Sequence, residues 1–335
     1  MDTERTLLEA IRNEPGDDLP RFALADWLEE HDRSLQAELL RLHLQLRSNP
    51  TSLPPAGPFA RLTQLLEGGI QPVAPTLTNS LGMQFVLIPA GTIWMGSPLD
   101  ESSRFEDEGP EHRVTVTTPF YLGTFPVTQS EYERLIGGQP SHFCARGEGR
   151  RQVEALDTSL HPVEMISWHM AAEFCTLLGE LHPERDLGRR YRLPTEAEWE
   201  LACRAGISRA GPFHQGRSLG SHQANFDGRE PFGTAPVGPY LSRTVPVNAY
   251  PPNAFGLYDL HGNVSEWCAD WFGEGFYLES PTEDPIGAAT GEHRVLRGGS
   301  WNDPGRYCRA AFRYDRPPEE ARRDFGFRVL LEYPA

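Results

Sequence analysis

No stretch of this sequence approaches the roughly 20 consecutive apolar residues that a membrane span needs, so no membrane partner is expected. Cysteine is sparse: Cys144, Cys175, Cys203, Cys268 and Cys308 are five in number, widely spaced and without a C-x-x-C pair. An odd, scattered set argues against a disulfide framework or a structural zinc site and predicts reduced thiols, most of them acting as small buried hydrophobes. Basic charge is in short supply, 31 residues against 47 acidic ones, and the excess acid is spread along the chain. That balance argues against a nucleic-acid or anionic-membrane partner. Gly298-Gly299-Ser300 lacks the G-x-S-x-G pattern of a nucleophile elbow, and the G-x-x-x-x-G-K-[ST] loop of a nucleotide site is missing. Met1-Asp2-Thr3-Glu4-Arg5 is acidic with no apolar run behind it, which sets a cytoplasmic location as the expectation.

What the chain does have is enough length for one large core plus a small appendage, and a generous supply of glycine and tryptophan. Residues 1–47 read as three short helices. Leu7, Leu8 and Ile11 share one helical face, Leu24, Trp27 and Leu28 a second, and Leu39, Leu40 and Leu44 a third. The Arg21–His31 segment, with its Ala25-Asp26-Trp27-Leu28-Glu29-Glu30 core, resembles a small bacterial repeat-companion module fused to many unrelated domains. Such a module has too small a core to stand alone and reads as an accessory or docking piece. Residues 48–78 are rich in proline and polar residues, reading as a semi-rigid linker in which residues 59–67 could form a short helix.

The remainder, 79–333, is mixed. Met83–Gly96 predicts two short strands around a Pro89-Ala90-Gly91 turn, and Arg113–Tyr121 predicts another. Thr128-Gln129-Ser130-Glu131 and Thr195-Glu196-Ala197-Glu198 each match a capping box that opens a helix, and a further helix is expected over Ser167–Leu178. Beyond Ala205 the chain is dominated by Gly, Pro, Asn and Asp, the composition of a region shaped by turns and buried tryptophans.

The densest chemistry lies in Arg297-Gly298-Gly299-Ser300-Trp301-Asn302-Asp303-Pro304-Gly305-Arg306-Tyr307-Cys308. Paired glycines permit close backbone approach, and a cysteine in such a turn could serve redox or soft-metal chemistry. Around it Arg297, Arg306, Arg309, Arg313, Arg316, Arg322, Arg323 and Arg328 concentrate positive charge. They could pair with internal carboxylates or line a groove for an acidic peptide.

Several blocks together resemble the formylglycine-generating enzyme, or sulfatase-modifying factor, family. They include Gly91-Thr92-Ile93-Trp94-Met95-Gly96, Tyr191-Arg192-Leu193-Pro194-Thr195-Glu196-Ala197-Glu198-Trp199-Glu200, Leu260-His261-Gly262-Asn263-Val264-Ser265-Glu266-Trp267, Arg297–Trp301 and Asp324-Phe325-Gly326-Phe327-Arg328. The resemblance implies an irregular, turn-rich α+β fold related to C-type lectins, here with a small all-α N-terminal module. Active members of that family hold Cu(I) between two cysteines and use dioxygen to oxidise a peptidyl cysteine to formylglycine. By the same correspondence Cys308 matches the second copper cysteine, Ser300 the serine of the turn, and Asp303 takes the place of the first cysteine. A hard carboxylate is a poor ligand for soft Cu(I), so copper binding should fall by orders of magnitude. The family's calcium ligands match Asp259, Gly262, Val264 and Glu266, an oxygen set suited to Ca²⁺. A second family calcium site matches Asn225 and Phe226, while its aspartate position falls on Arg229, with Asp227 near enough to substitute.

Two functions follow from these readings. In one the domain has lost the copper oxidase and serves as a peptide- or protein-binding module. In the other it remains an oxygen-dependent oxidoreductase acting through Cys308, with Asp303 or a histidine such as His261 or His293 completing an altered metal site. The H-x3-H-x-E iron motif of family members fused to a helical domain is absent, since His31 and His43 lack that spacing.

Overall fold

A computed structural model describes residues 2–48 and 53–333. The N-terminal module forms α1 (Thr3–Asn13), α2 (Leu19–Glu30) and α3 (Ser34–Arg47), with Ile11, Leu24, Leu28, Leu40 and Leu44 packed into one small cluster. α3 carries a second apolar face. Leu39 and Leu46 turn into the main core, where they join Leu62, Leu65 and Leu66 of α4 (Ala56–Glu67). α4 lies in the Pro-rich stretch and is longer than the 59–67 segment its sequence allowed, because Pro55 precedes its first turn and Gly68 follows its end. Residues 49–52 of that stretch lie outside the described residues.

The main domain is built on a five-stranded antiparallel sheet in the order β1-β2-β5-β11-β6, formed by Thr76–Thr78, Gln84–Ile88, Phe120–Gly123, Leu330–Glu332 and Tyr191–Arg192. Both faces are covered. Alternation along the strands sends Phe85, Leu87, Tyr121 and Leu331 to one core and Val86, Ile88, Phe120, Leu122 and Leu330 to the other. The two strands expected around Pro89-Ala90-Gly91 are present, but β3 (Gly91–Met95) leaves β2 and pairs with β4 (His112–Val116). The single strand expected over Arg113–Tyr121 is accordingly two, β4 and β5, which belong to different sheets.

Helices begin where capping chemistry predicts. Thr128 opens α5 (Gln129–Ile136), Ser167 opens α6 (Trp168–Glu180) and Thr195 opens α8 (Glu196–Cys203), with a short α7 (His182–Asp186) between the last two. At Thr195 the hydroxyl accepts from the Glu198 N–H at 3.2 Å while the Glu198 carboxylate accepts from the Thr195 N–H at 2.8 Å. All eight residues of α8 are buried, three glutamates among them. Such burial requires partners for the charges: Arg192 of β6 meets Glu198, while Arg313 meets Glu196 and Arg297 meets Glu200 from beside and within a second sheet. It runs β10-β7-β8-β9 (Phe325–Phe327, Ser265–Trp271, Arg294–Arg297, Tyr314–Arg316), with β10 parallel to β7. No helix among the described residues is long and apolar enough to cross a membrane.

Candidate functional site

β8 delivers Arg297 into the interior and hands the chain to Gly298 and Gly299, both at positive φ (91° and 65°). A side chain at Gly299 would place its Cβ 2.6 Å from the Tyr307 carbonyl and 2.9 Å from Cys308 Sγ. Only glycine lets this turn press against the Tyr307-Cys308 backbone. Ser300 is fully buried and donates from Oγ to Asp303 Oδ2 at 2.6 Å, while accepting from the Asn302 N–H at 3.2 Å. Trp301 anchors the far side through Nε1 to the Arg323 carbonyl at 3.0 Å.

Asp303 and Cys308 face different surroundings. Asp303 lines a cavity of about 360 Å³ with Phe105, Asp107, Tyr307, Phe312 and Tyr314. Burial lifts its carboxyl to about 6, opposed by the Ser300 hydrogen bond. Burial also raises Asp107, opposed by Arg313. Cys308 instead sits behind the turn among Phe213, Leu219, Ala224, Phe226 and Phe232. Burial, reinforced by the Asp303 carboxylate, pushes its thiol well above the ordinary value, so it rests protonated at neutral pH. One thiol with a hydrogen-bonded carboxylate in place of a second sulfur is a donor set that does not fit Cu(I), which favours two thiolates.

Beneath the cavity lies a buried ionic scaffold. Arg313 grips Glu196 with Nε–Oε1 and Nη2–Oε2 distances of 2.7 and 2.9 Å, Arg309 reaches Glu108 at 2.6 Å, and Glu200 receives Arg204 at 2.8 Å together with Arg297. Seven of the eight arginines concentrated near the C-terminus pair with a carboxylate, Arg323 being the exception among described residues. The internal-pairing reading of that charge therefore describes it better than an acidic-peptide groove.

Asp259, Gly262 and Val264 lie in the chain leading into β7, and Glu266 is its second residue. Asp259 is held at φ 55°, buried, with Oδ2 lacking a partner, and burial drives its carboxyl up to about 8 against the pull of Arg328. Gly262 lies against Asn225, whose carbonyl oxygen would be 2.3 Å from a Cβ there and accepts from the Asn263 N–H at 2.8 Å. The two groups read as calcium ligands are thus neighbours. The free oxygen of Asp259 fits a cation. Glu266 fits one only by giving up Arg328, which donates to both its oxygens at 2.7 and 3.0 Å, with Trp199 Nε1 adding a third bond at 2.8 Å. At the second set, Asn225 Nδ2 donates to the Arg243 carbonyl and Phe226 is buried beside Cys308, while Arg229 takes both oxygens of Asp227 at 2.8 and 2.6 Å. Among the described residues no three His, Cys, Asp or Glu side chains are gathered in a geometry that would hold a metal. Of the histidines considered as ligands, His261 donates from Nδ1 to the Cys308 carbonyl (2.7 Å) and His293 contacts Asp315.

Phe105, Asp107, Phe312 and Tyr314 escaped the sequence reading. Phe105 and Asp107 lie some two hundred residues before Asp303, so nothing local ties them to it. The Tyr307, Phe312, Tyr314 run after the glycine turn was the available signal.

Fold and site define an irregular α+β domain whose cavity is built from loops over a buried ionic scaffold. The chain belongs to the sulfatase-modifying factor enzyme 1-like family, whose domain matches residues 71–333. It is 39% identical to a formylglycine-generating enzyme of Thermomonospora curvata over 295 residues, covering 74% of this chain and 93% of the relative. It is 29% identical to the mouse protein called inactive C-alpha-formylglycine-generating enzyme 2, covering 72% and 84% respectively. Among solved structures it resembles PvdO from Pseudomonas aeruginosa at 30% identity and a TM-score of 0.63, over 77% of this chain and 97% of PvdO.

Proposed function

We propose that this chain is a peptide- or protein-binding member of the family that lacks the copper oxidase chemistry. The observation that carries this reading is Asp303. By the family resemblance it falls where active members carry the first copper cysteine; it lines the cavity and is tied to Ser300, while Cys308 is turned into an apolar cluster. The mouse relative named as inactive supports the idea that the fold persists without the reaction. The five free, buried cysteines suit a reducing cytoplasm, and the N-terminal helices serve as an accessory piece docked on the domain.

An anaerobic Cu(I) titration of the unmodified chain beside Asp303→Cys tests the reading. Weak binding by the former and binding tighter by orders of magnitude in the variant are expected. Tight binding by the unmodified chain, or oxygen uptake with a cysteine-containing peptide, would establish the alternative, an active oxidoreductase working through Cys308.

The same reading assigns Ca²⁺ to Asp259 with the Gly262 and Val264 carbonyls, and Glu266 once released from Arg328. Its support is the unpartnered oxygen of Asp259. Calcium at 100 times its Kd should stabilise the fold by about 2.7 kcal/mol, visible as a rise in Tm that chelation reverses and Asp259→Asn abolishes. An unchanged Tm in both would remove calcium from the proposal.

A further inference from the structure

The cavity holding Asp303 has aromatic walls. Tyr307 lies 4.9 Å from Phe312 and 5.8 Å from Phe105 between ring centroids, and Phe312 lies 6.3 Å from Tyr314. Phe105 stands at 38% exposure, an apolar ring left in water beside its neighbours. The rings already stack with cations: the Arg306 guanidinium sits 4.6 Å over Tyr307 and that of Arg316 4.2 Å over Tyr314.

The positive charges around the cavity are spoken for. Arg313 pairs with Glu196, Arg306 with Glu230, Arg316 with Glu320 and Arg322 with Asp324. Among the described residues, the half-buried Asp107 and Asp303 have no ion-pair partner of their own, unlike the buried carboxylates of the scaffold. The cavity therefore combines aromatic faces with two carboxylates that no ion pair neutralises, Arg313 in the same lining being held by Glu196 and reaching Asp107 only at its carbonyl, 3.1 Å away. An acidic ligand would be repelled, and a neutral one would leave both half-buried acids without a partner. An organic cation answers both features. One Asp303 oxygen is tied to Ser300, which leaves the other for a single contact. That suits the point charge of an ammonium better than the bidentate fork of a guanidinium.

We infer that this cavity binds an alkylammonium group, the side chain of a lysine, methylated or not, carried by the ligand peptide. The inference rests on the peptide-binding reading above and names the anchor of that peptide.

The chain itself contains no lysine, all 31 basic residues being arginine, which makes a direct test possible. Three matched peptides differing at one position, lysine, trimethyllysine or norleucine, are titrated calorimetrically, together with acetyl-trimethyllysine amide as a free probe. The two ammonium peptides should bind about tenfold more tightly than the norleucine peptide. Asp303→Asn and, independently, Tyr307→Leu should erase most of that preference in proteins whose melting curves show them folded. Carbodiimide coupling should join the lysine peptide to Asp303 or Asp107, with no side-chain amine of the protein competing. Equal affinity for ammonium and norleucine peptides would overturn the inference and leave peptide binding intact. Binding of the free amide without any peptide would support the ammonium site and overturn the peptide reading. Silence from all four probes would overturn the inference.

Discussion

At the scale of single residues, Gly299 and Asp303 decide what the site can be. Gly299 combines positive φ with backbone and sulfur closer than a Cβ tolerates. Gly299→Ala should therefore destabilise the fold by about 2 kcal/mol or more, read as a lowered denaturant midpoint, with altered ligand binding because Tyr307 must shift. Cys308 is shielded and its thiol raised, so iodoacetamide at mildly alkaline pH should leave it unmodified in the native protein and modify it after unfolding. Rapid native labelling, located by mass spectrometry, would contradict a sealed thiol. The identity of Asp303 was plain in the sequence. Its orientation was not, since nothing in Asn302-Asp303-Pro304 says that the carboxylate turns to Ser300 and the cavity while the thiol five residues on turns away.

At the scale of elements, α8 links the helical half of the domain to the second sheet. Its start was legible because the Thr195–Glu198 box is a local pattern, and Thr195→Ala should cost about 1 kcal/mol. Its partners were not legible. Glu196 meets Arg313 and Glu200 meets Arg297, both contributed by chain about a hundred residues later. Arg313→Ala should cost about 3–5 kcal/mol by leaving Glu196 largely uncompensated. Thermal or denaturant unfolding of the two variants side by side tests whether the buried pair outweighs the cap. Strand pairing was hidden for the same reason: the Pro89-Ala90-Gly91 turn was evident, yet β3 pairs with β4 because Val114 and Val116 complete the core that Ile93 and Met95 enter.

At the scale of the whole molecule, the N-terminal helices are docked through apolar and polar contacts. Leu39 and Leu46 enter the main core, and His43 Nε2 meets the Ala205 carbonyl at 2.8 Å with its ring edge-on to Phe255. Burial, with Arg47 and Arg21 adding repulsion against the Ala205 hydrogen bond, depresses the His43 pKa to about 3 from 6.5. A depressed histidine favours the docked state fully above pH 6.5, and that contribution is lost as pH falls from 6.5 towards 3, by up to about 1.4 kcal/mol per unit. Hydrogen exchange in α3 should accelerate across this window, and His43→Gln should flatten the dependence. Arginine serves as the sole basic residue throughout, and its planar fork suits the bidentate grips on Glu196 and Glu266 that a lysine could not reproduce.

The sequence by itself determined what depends on near neighbours: helix starts at Thr128, Ser167 and Thr195, the apolar stripes of α1 and α2, and the glycine turn with Asp303 five residues before Cys308. The tertiary structure alone decided which arginine neutralises which glutamate, that Arg328 engages Glu266, and that Phe105 and Asp107 close the cavity over Asp303. The physical reason is that caps and turns are satisfied within four or five residues. A charge taken out of water must instead find its partner wherever the fold brings one, and here that is about sixty to two hundred residues away.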